Sequence, residues 1–421
     1  MKTAFRKISF ILLFLLALII VFTASACSGG YDSAGGFAPS GALGDVDDGG
    51  KDDGSGSNGS QTVYKKQLTA GEWRDALNYD FWLGLFEKDI EIDEEQFTRD
   101  GIFSGYAKAT RGLDTFDMHE VLVTSGGSPV TGAKVTLYNE NEMEYSAVTD
   151  STGKAYVFGS GTLLQAASGQ FYASANVADG VTNIELADSS AVENELEIML
   201  VVDTTGSMGD ELSFLCDELA GVVTRVSSTL KCDIRLGLLF YRDEGDQYVT
   251  RKFDFVDVTS EEGLNTVVKN IKNQKASGGG DIPEAVDTAL SEAVAADWHA
   301  NSKTRLLFQV LDAPYHDNQE NQSRFANAVK SAAQKGVRII PVAASGLDTL
   351  GQYIMRSAAL LTGGTYTFLT DDSGIGNSHE LPAVGKFTVE YLSDLMVRLI
   401  NGYYTGTFEE PIHWTQSESV I

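Results

Sequence analysis

The sequence predicts a doubly wound α/β domain over residues 194–406, preceded by a small all-β sandwich domain over 116–190. Three observations carry this. After residue 194, apolar strand-like runs alternate with amphipathic helical stretches. Before it, short runs of period two lie between turn signals. A chain of 421 residues is long enough for two or three domains.

Residues 1–26 read as an export signal. Lys2, Arg6 and Lys7 precede an apolar run from Ile8 to Phe22 interrupted only by Ser9, and Ala24, Ser25 and Ala26 lead to Cys27. The run of about 15 residues is short of the roughly 20 that span a bilayer as a helix. Its Ala-Ser-Ala-Cys end resembles the lipobox of bacterial lipoproteins, with Ala24 where that family more often has Leu. The resemblance implies a lipid-modified Cys27, and with it an extracytoplasmic protein at the cell membrane or cell surface. The alternative is an ordinary secretory cut near Ala26 that leaves a free Cys. Residues 27–61, rich in Gly, Ser and Asp, bury too little apolar surface to offset ordering and read as a flexible linker with a reach of about 30 Å.

Composition narrows the partners. The chain carries 59 acidic against 31 basic side chains, a net charge of −28. Without residues 1–26 the balance is 59 acids against 28 bases, or −31. A phosphate backbone is bound by Lys and Arg that displace its counterions, so nucleic acid is excluded as a partner and metal cations are the natural counter-charge. Three cysteines form neither a disulfide framework nor a Cys-x-x-Cys zinc pair. Cys216 and Cys232 would lie roughly 20 Å apart along a helix of about 13 residues, so buried free thiols are expected rather than a disulfide.

Residues 62–115 hold Trp73, Phe81, Trp82 and Phe86, aromatics expected to pack on a neighbouring domain; the pattern assigns this segment no fold. From His119, alternating pairs appear: Val121 and Val123, Val135 and Leu137, Tyr156 and Phe158. The turns are Ser125-Gly126-Gly127, Thr131-Gly132 and Asp150-Ser151-Thr152-Gly153. "SPVTGAKVTLYN" and "VTDSTGKAYVF" resemble seven-stranded immunoglobulin-like sandwiches of the carboxypeptidase regulatory-domain type, which implies a stalk or spacer without chemistry.

The α/β part runs "LEIMLVVD", a helix with Leu212, Leu215, Leu219, Val222 and Val226, then "DIRLGLLFYRD" and "RKFDFVD". Helices are expected around 261–274, 283–296, 320–335, 349–361 and 387–400, with strands "RLLFQVLD", "VRIIPVAA" and "TYTFLT" between them, and 407–421 forms a tail. Such alternation means a mostly parallel sheet covered on both faces, with ligands beyond the carboxyl ends of its strands. At those ends stand Asp203, Thr205 and Ser207 in "DTTGSM", Asp312 in "VLDAPYH", and Asp281 and Glu284 in "SGGGDIPEAV". Converging carboxylates and hydroxyls suit a hard cation such as Mg²⁺, with Ca²⁺ or Mn²⁺ as substitutes. Unpaired, these acids would repel one another.

"DTTGSM" with "VLDAPYH" resembles the metal-ion-dependent adhesion site (MIDAS) of von Willebrand factor A (vWA) domains over roughly 194–406. The resemblance implies a Rossmann-like vWA fold in which Asp203 and Asp312 hold the cation largely through water and the hydroxyls of Thr205 and Ser207 bind it directly. Most such domains supply a Thr from the loop that is "GGGDIPEAV" here, where Gly280 or Asp281 stands instead. The loop is similar to the Asp-x-Pro-Glu loop of integrin β-subunit I-like domains. That likeness implies Glu284 as a central ligand, Asp281 with Asp243 at a second cation, and Asp210 with Glu211 at a third. Asp210, Glu211 and Glu284 also suit the first turn of a helix, where acids complement the dipole, and Asp243 suits a polar turn. His316 is expected as a polar loop residue.

The function implied is metal-dependent adhesion through an acidic residue of a partner protein, not enzymatic. The alternatives are a Mg²⁺-dependent hydrolase or phosphoryl-transfer enzyme and a spacer stiffened by its metal. "DTTGS" lacks the Lys of the aspartyl-phosphate motif it resembles, and no Gly-x-Ser-x-Gly, P-loop or His-Glu-x-x-His run is present.

Overall fold

The computed structural model describes residues 67–87, 101–280, 282–375, 378–379 and 382–413. The export signal, Cys27, the linker and Asp281 lie outside the described residues. Among those described, no helix is long and apolar enough to cross a membrane.

In chain order the elements begin with β1 (Thr69–Trp73) and α1 (Tyr79–Gly84). The sandwich strands follow: β2 (Met118–Ser125), β3 (Ser128–Pro129), β4 (Lys134–Asn139), β5 (Glu142–Val148), β6 (Lys154–Phe158), β7 (Leu163–Ser168), β8 (Phe171–Asn176) and β9 (Thr182–Leu186). The α/β body then runs β10 (Glu193–Asp203), α2 (Leu212–Thr229), β11 (Asp233–Tyr241), β12 (Thr250–Asp257), α3 (Glu261–Lys272), α4 (Val286–Val294), β13 (Ser302–Leu311) and α5 (Gln319–Lys335). It closes with β14 (Val337–Ala343), α6 (Thr349–Thr362), β15 (Tyr366–Thr370), β16 (Glu390–Tyr391) and α7 (Leu392–Thr405).

The large sheet has the order β12-β11-β10-β13-β14-β15-β1-β16, parallel from β11 to β15 and antiparallel at β12, β1 and β16. Its central strands are near-continuous apolar runs because both faces are covered. The apolar residues of α2, α3 and α7 fill one core; those of α4, α5 and α6 fill the other. This is the doubly wound architecture expected from the alternation.

Two expectations are corrected. The sandwich has two sheets of four strands, β3-β2-β6 with β9 on β2 and β5-β4-β7-β8, rather than seven strands in all. The extra pairing comes from the two-residue β3, which a hairpin at Gly126-Gly127 forms and no periodicity could announce. The sandwich is also not held off as a spacer. Its interior belongs to the same apolar cluster as α5 and α6, Tyr145 Oη donates to Leu361 O at 2.6 Å, and Ser151 Oγ donates to Tyr403 O at 2.8 Å.

Residues 69–86 acquire their structure from the α/β body. β1 pairs antiparallel with β15, Trp82 is buried with its ring stacked 6.4 Å from Tyr353 of α6, and Asp75 receives the buried Arg356 guanidinium in two bonds of 2.5 and 3.0 Å. The aromatics thus pack on a neighbour, as expected. Helix α7 starts five residues later than 387 because Glu390–Tyr391 first pairs with β1. Cys216 and Cys232 are free; Cys216 is buried and Cys232 is half-buried rather than buried.

Candidate metal centre at the carboxyl ends of the strands

Strand β10 delivers Asp203 to the carboxyl edge of the sheet, and the chain then turns sharply. Asp203 Oδ1 accepts from Thr205 N at 2.8 Å and from Thr205 Oγ1 at 2.7 Å, which uses one carboxylate oxygen to fold the loop. Thr205 Oγ1 lies 3.1 Å from Ser207 Oγ, so both hydroxyls face the same space. The backbone of the turn is held from the neighbouring strand and loop: Thr204 N donates to Tyr241 O at 2.9 Å and Gly206 N to Gly278 O at 2.9 Å.

The glycine loop sits on this turn. At Gly279 φ is +70°, and a Cβ there would come within 2.8 Å of Glu284 Oε1 and 3.2 Å of Thr205 Cβ. Only glycine allows the loop to lie so close to the acids. Glu284 is anchored by its N donating to Pro314 O at 2.9 Å, beside the strand end that carries Asp312, and its side chain is 2 % exposed. The structure therefore brings Asp203, Thr205, Ser207, Glu284 and Asp312 to one place, at a cavity of about 480 Å³ lined by Ser207, Gly278 to Gly280, Ile282, Glu284 and Asp312 among others.

The electrostatics are those of acids short of a counter-charge. Burial, then the nearby Asp312 carboxylate, holds the Asp203 carboxyl well above the usual range despite the Thr205 hydrogen bonds and the nearby Tyr241 hydroxyl, which falls outside hydrogen-bond geometry. Burial, then Asp203 and Asp243, pushes Glu284 up to about 9. Asp203 Oδ2 and Glu284 Oε2 are buried without a hydrogen-bond partner. A buried acceptor of this kind costs free energy unless something donates to or coordinates it. Hydroxyl and carboxylate oxygens alone make a donor set for a hard divalent cation, so these residues fit one.

The flanking residues fare differently. Asp243 Oδ1 accepts from His316 Nε2 at 2.7 Å, so His316 is more than a polar loop residue. Asp210 closes the short turn Gly206–Asp210. Glu211 is fully buried and lies 3.1 Å from His379 Nε2, an ion-pair distance outside hydrogen-bond alignment. Sequence reasoning missed three residues here. Asp246 Oδ2 accepts from Gly279 N at 2.8 Å and Asp243 N at 3.2 Å and thereby fixes the glycine loop. Its signal was the turn "RDEGDQY". His379, in the loop before α7, had none. Ile282, 72 % exposed on the rim, was hidden inside the loop motif.

A second cluster lies at the opposite end of β10, where Glu195, Glu197 and His299 place ligand-type atoms within 4.8 Å of one another. Glu197 is buried but takes the Arg235 guanidinium, Ser302 Oγ at 2.9 Å and His299 N at 2.9 Å. Glu195 Oε2 receives Ser302 Oγ at 2.5 Å and contacts His299 Nδ1 at 2.8 Å.

Residues 197–378 match the family model of the von Willebrand factor type A domain. A stretch of 144 residues, 34% of this chain, is 28% identical to an ariadne-like RING finger protein of Acanthamoeba polyphaga mimivirus, of which it spans 13%. Among solved structures, the pilus adhesin SpaC from Lactobacillus rhamnosus GG aligns at 10% identity in two crystal structures, with TM-scores of 0.32 and 0.35, over 57% and 64% of this chain and 34% of SpaC.

Proposed function

We propose that this is an extracytoplasmic protein, anchored at the cell membrane or cell surface by a lipid on Cys27, whose vWA domain binds a divalent cation and grips an acidic side chain of a partner protein. The role is adhesion without turnover. The observation that carries the reading is the pair of buried, unpartnered oxygens, Asp203 Oδ2 and Glu284 Oε2, set beside the hydroxyls of Thr205 and Ser207. Asp203, Thr205, Ser207, Glu284 and Asp312 would hold Mg²⁺, or Ca²⁺ or Mn²⁺ in its place. When bound, such an ion offers an exchangeable position to a carboxylate from outside.

The chain's own residues set the rest. Thr205 and Asp246 fix the two loops, so the donors are positioned before a ligand arrives. Ser207 is exposed at the cavity while Asp203 and Thr205 lie beneath it, so a visitor approaches from the Ser207 side. A net charge of −28 would repel an acidic partner at long range, so capture depends on local neutralisation of these acids.

The test has two arms. Mg²⁺ titrated calorimetrically into chelated protein should give uptake that Asp203→Ala abolishes. Binding to an array of immobilised Asp- and Glu-containing peptides should appear with Mg²⁺ and vanish in EDTA. Absence of Mg²⁺, Ca²⁺ and Mn²⁺ uptake, or peptide binding indifferent to EDTA, would overturn the reading.

A further inference from the structure

In a chain with 59 acids against 31 bases, an exposed cation is expected to find a carboxylate. Among the described residues two arginines are exposed, Arg225 and Arg251. Arg225 Nη1 meets Asp394 Oδ1 at 2.6 Å. Arg251 meets no carboxylate among the described residues; its guanidinium lies instead over the ring of Tyr248, 4.0 Å from the centroid. The next residue, Lys252, is already matched by Asp254 Oδ1 at 3.3 Å.

Tyr248 ties Arg251 to the metal-type centre. Its hydroxyl lies 2.8 Å from Thr204 Oγ1, and Thr204 stands between Asp203 and Thr205 in the chain. The same ring carries a second guanidinium, that of the buried Arg242 at 4.6 Å, which donates to Lys275 O at 3.0 Å. A planar cation stacked on a fixed ring gives up little freedom when a carboxylate arrives, and its fork of N–H donors suits bidentate pairing. The sheet sets the spacing. Arg251 of β12 pairs opposite Phe240 of β11, and Asp203 of β10 opposite Tyr241, so Arg251 stands at the carboxyl end of the sheet, two strands or about 10 Å to the side of Asp203. Ser277 N donates to Thr204 O at 3.1 Å, so the glycine loop leaves from the residue that Tyr248 holds. Its exposed Gly278, Gly279 and Gly280 raise no side chain against a segment laid across them.

We propose that Arg251 is a second contact for the partner, and that the captured segment carries two carboxylates, one for the metal centre and one for the Arg251 guanidinium. An extended chain advances about 3.3 Å per residue, so the second acid lies about three residues from the first. Arg251 thereby selects among acidic segments that the centre alone would treat alike. It also places a positive edge where the acidic partner of an acidic protein has to land.

The inference rests on the acid-capture reading above, and peptides with one or two acids separate the two. The probes are labelled Gly-Ser peptides carrying a single Asp, or a second Asp at increasing spacings, titrated into the full chain with Mg²⁺ in physiological salt, which screens diffuse attraction. A second Asp about three residues away should tighten Kd about fivefold, and other spacings should gain only the roughly twofold that duplicating an acid gives. Arg251→Ala should remove the spacing-dependent gain while leaving the single-Asp affinity and Mg²⁺ uptake as they were. Arg251→Lys, which keeps the charge without the fork, should retain part of it, and Lys252→Ala all of it. A gain that is the same at every spacing, or that survives Arg251→Ala, overturns the inference and leaves acid capture by the centre standing. If neither kind of peptide binds while Mg²⁺ is still taken up, acid capture falls, and the inference falls with it.

Discussion

Strand β10 has an acid cluster at each end, and the tighter of the two needs no ion. At its start, Glu195, Glu197 and His299 place ligand-type atoms within 4.8 Å of one another; at its finish, Asp203, Glu284 and Asp312 are not drawn together to that extent. Yet at the start every acid is answered, by Arg235, by Ser302 and by the His299 amide. At the finish Asp203 Oδ2, Glu284 Oε2 and both oxygens of Glu211 are buried and accept no hydrogen bond. Counting acids and measuring their spacing would choose the wrong end. What distinguishes a cation site is carboxylate that the chain has buried and left unsatisfied, because an already neutralised cluster gains little from an ion.

The largest effect expected from this contrast is on ion uptake itself. Asp203→Ala removes an unsatisfied oxygen from the centre, and Mg²⁺ uptake measured by calorimetry should disappear. Glu195→Ala should leave it unchanged. Uptake that survives Asp203→Ala but is lost in Glu195→Ala would reverse the assignment of the two ends.

The second test converts one kind of cluster into the other. Arg235→Ala strips Glu197 of its guanidinium while the carboxylate stays buried. Losing one partner of a fully buried pair costs roughly 3–5 kcal/mol, and partial exposure of Arg235 lowers the expectation to about 2 kcal/mol, read by denaturant unfolding. Mn²⁺ should then restore part of the loss, although it does nothing at that end of the unaltered protein. A variant as stable as the parent would show that Arg235 is not the counter-charge.

A third expectation concerns pH. Glu284 is pushed up to about 9 and Asp203 lies above the usual carboxylate range, so in chelated protein the native state holds protons that the unfolded chain releases near its ordinary carboxylate values. The native state binds more protons across that window. Its stability should therefore fall as pH rises from about 4 to about 9. Saturating Mg²⁺ should flatten the slope, since it offsets the charge that the protons removed. Thermal melts of chelated and Mg²⁺-loaded protein across this range check it; a chelated protein that gains stability with rising pH contradicts the electrostatics of the centre.

The same contrast explains what the sequence disclosed. Asp203, Thr205 and Ser207 lie within one five-residue stretch at a strand end, and Asp312 follows an apolar strand, so all four were legible from strand ends alone. The alternation of strands and helices was legible because each element carries its own periodicity. β1 was not: five residues, Thr69–Trp73, become a strand only by pairing with β15, about 300 positions away in the chain. Likewise Glu195 and Glu197 sit two residues apart at a strand start, and nothing in their spacing says that Arg235 and Ser302 will meet them. Local chemistry is written locally, whereas neutralisation depends on which distant strands become neighbours.

The smallest effect belongs to the rim. Ile282 is one of the few large apolar side chains left open to solvent, and it lines the same cavity as Ser207 and Glu284. A partner whose carboxylate enters there would bring its neighbouring side chain against Ile282. Covering part of that surface contributes about 1 kcal/mol, or roughly fivefold in Kd. Ile282→Ser should therefore weaken binding to acidic peptides about fivefold on the array while leaving Mg²⁺ uptake untouched, because Ile282 offers the ion no donor. A variant with unchanged peptide affinity would mean that partners meet the centre without touching its rim. The choice among acidic partners would then be made elsewhere on the domain.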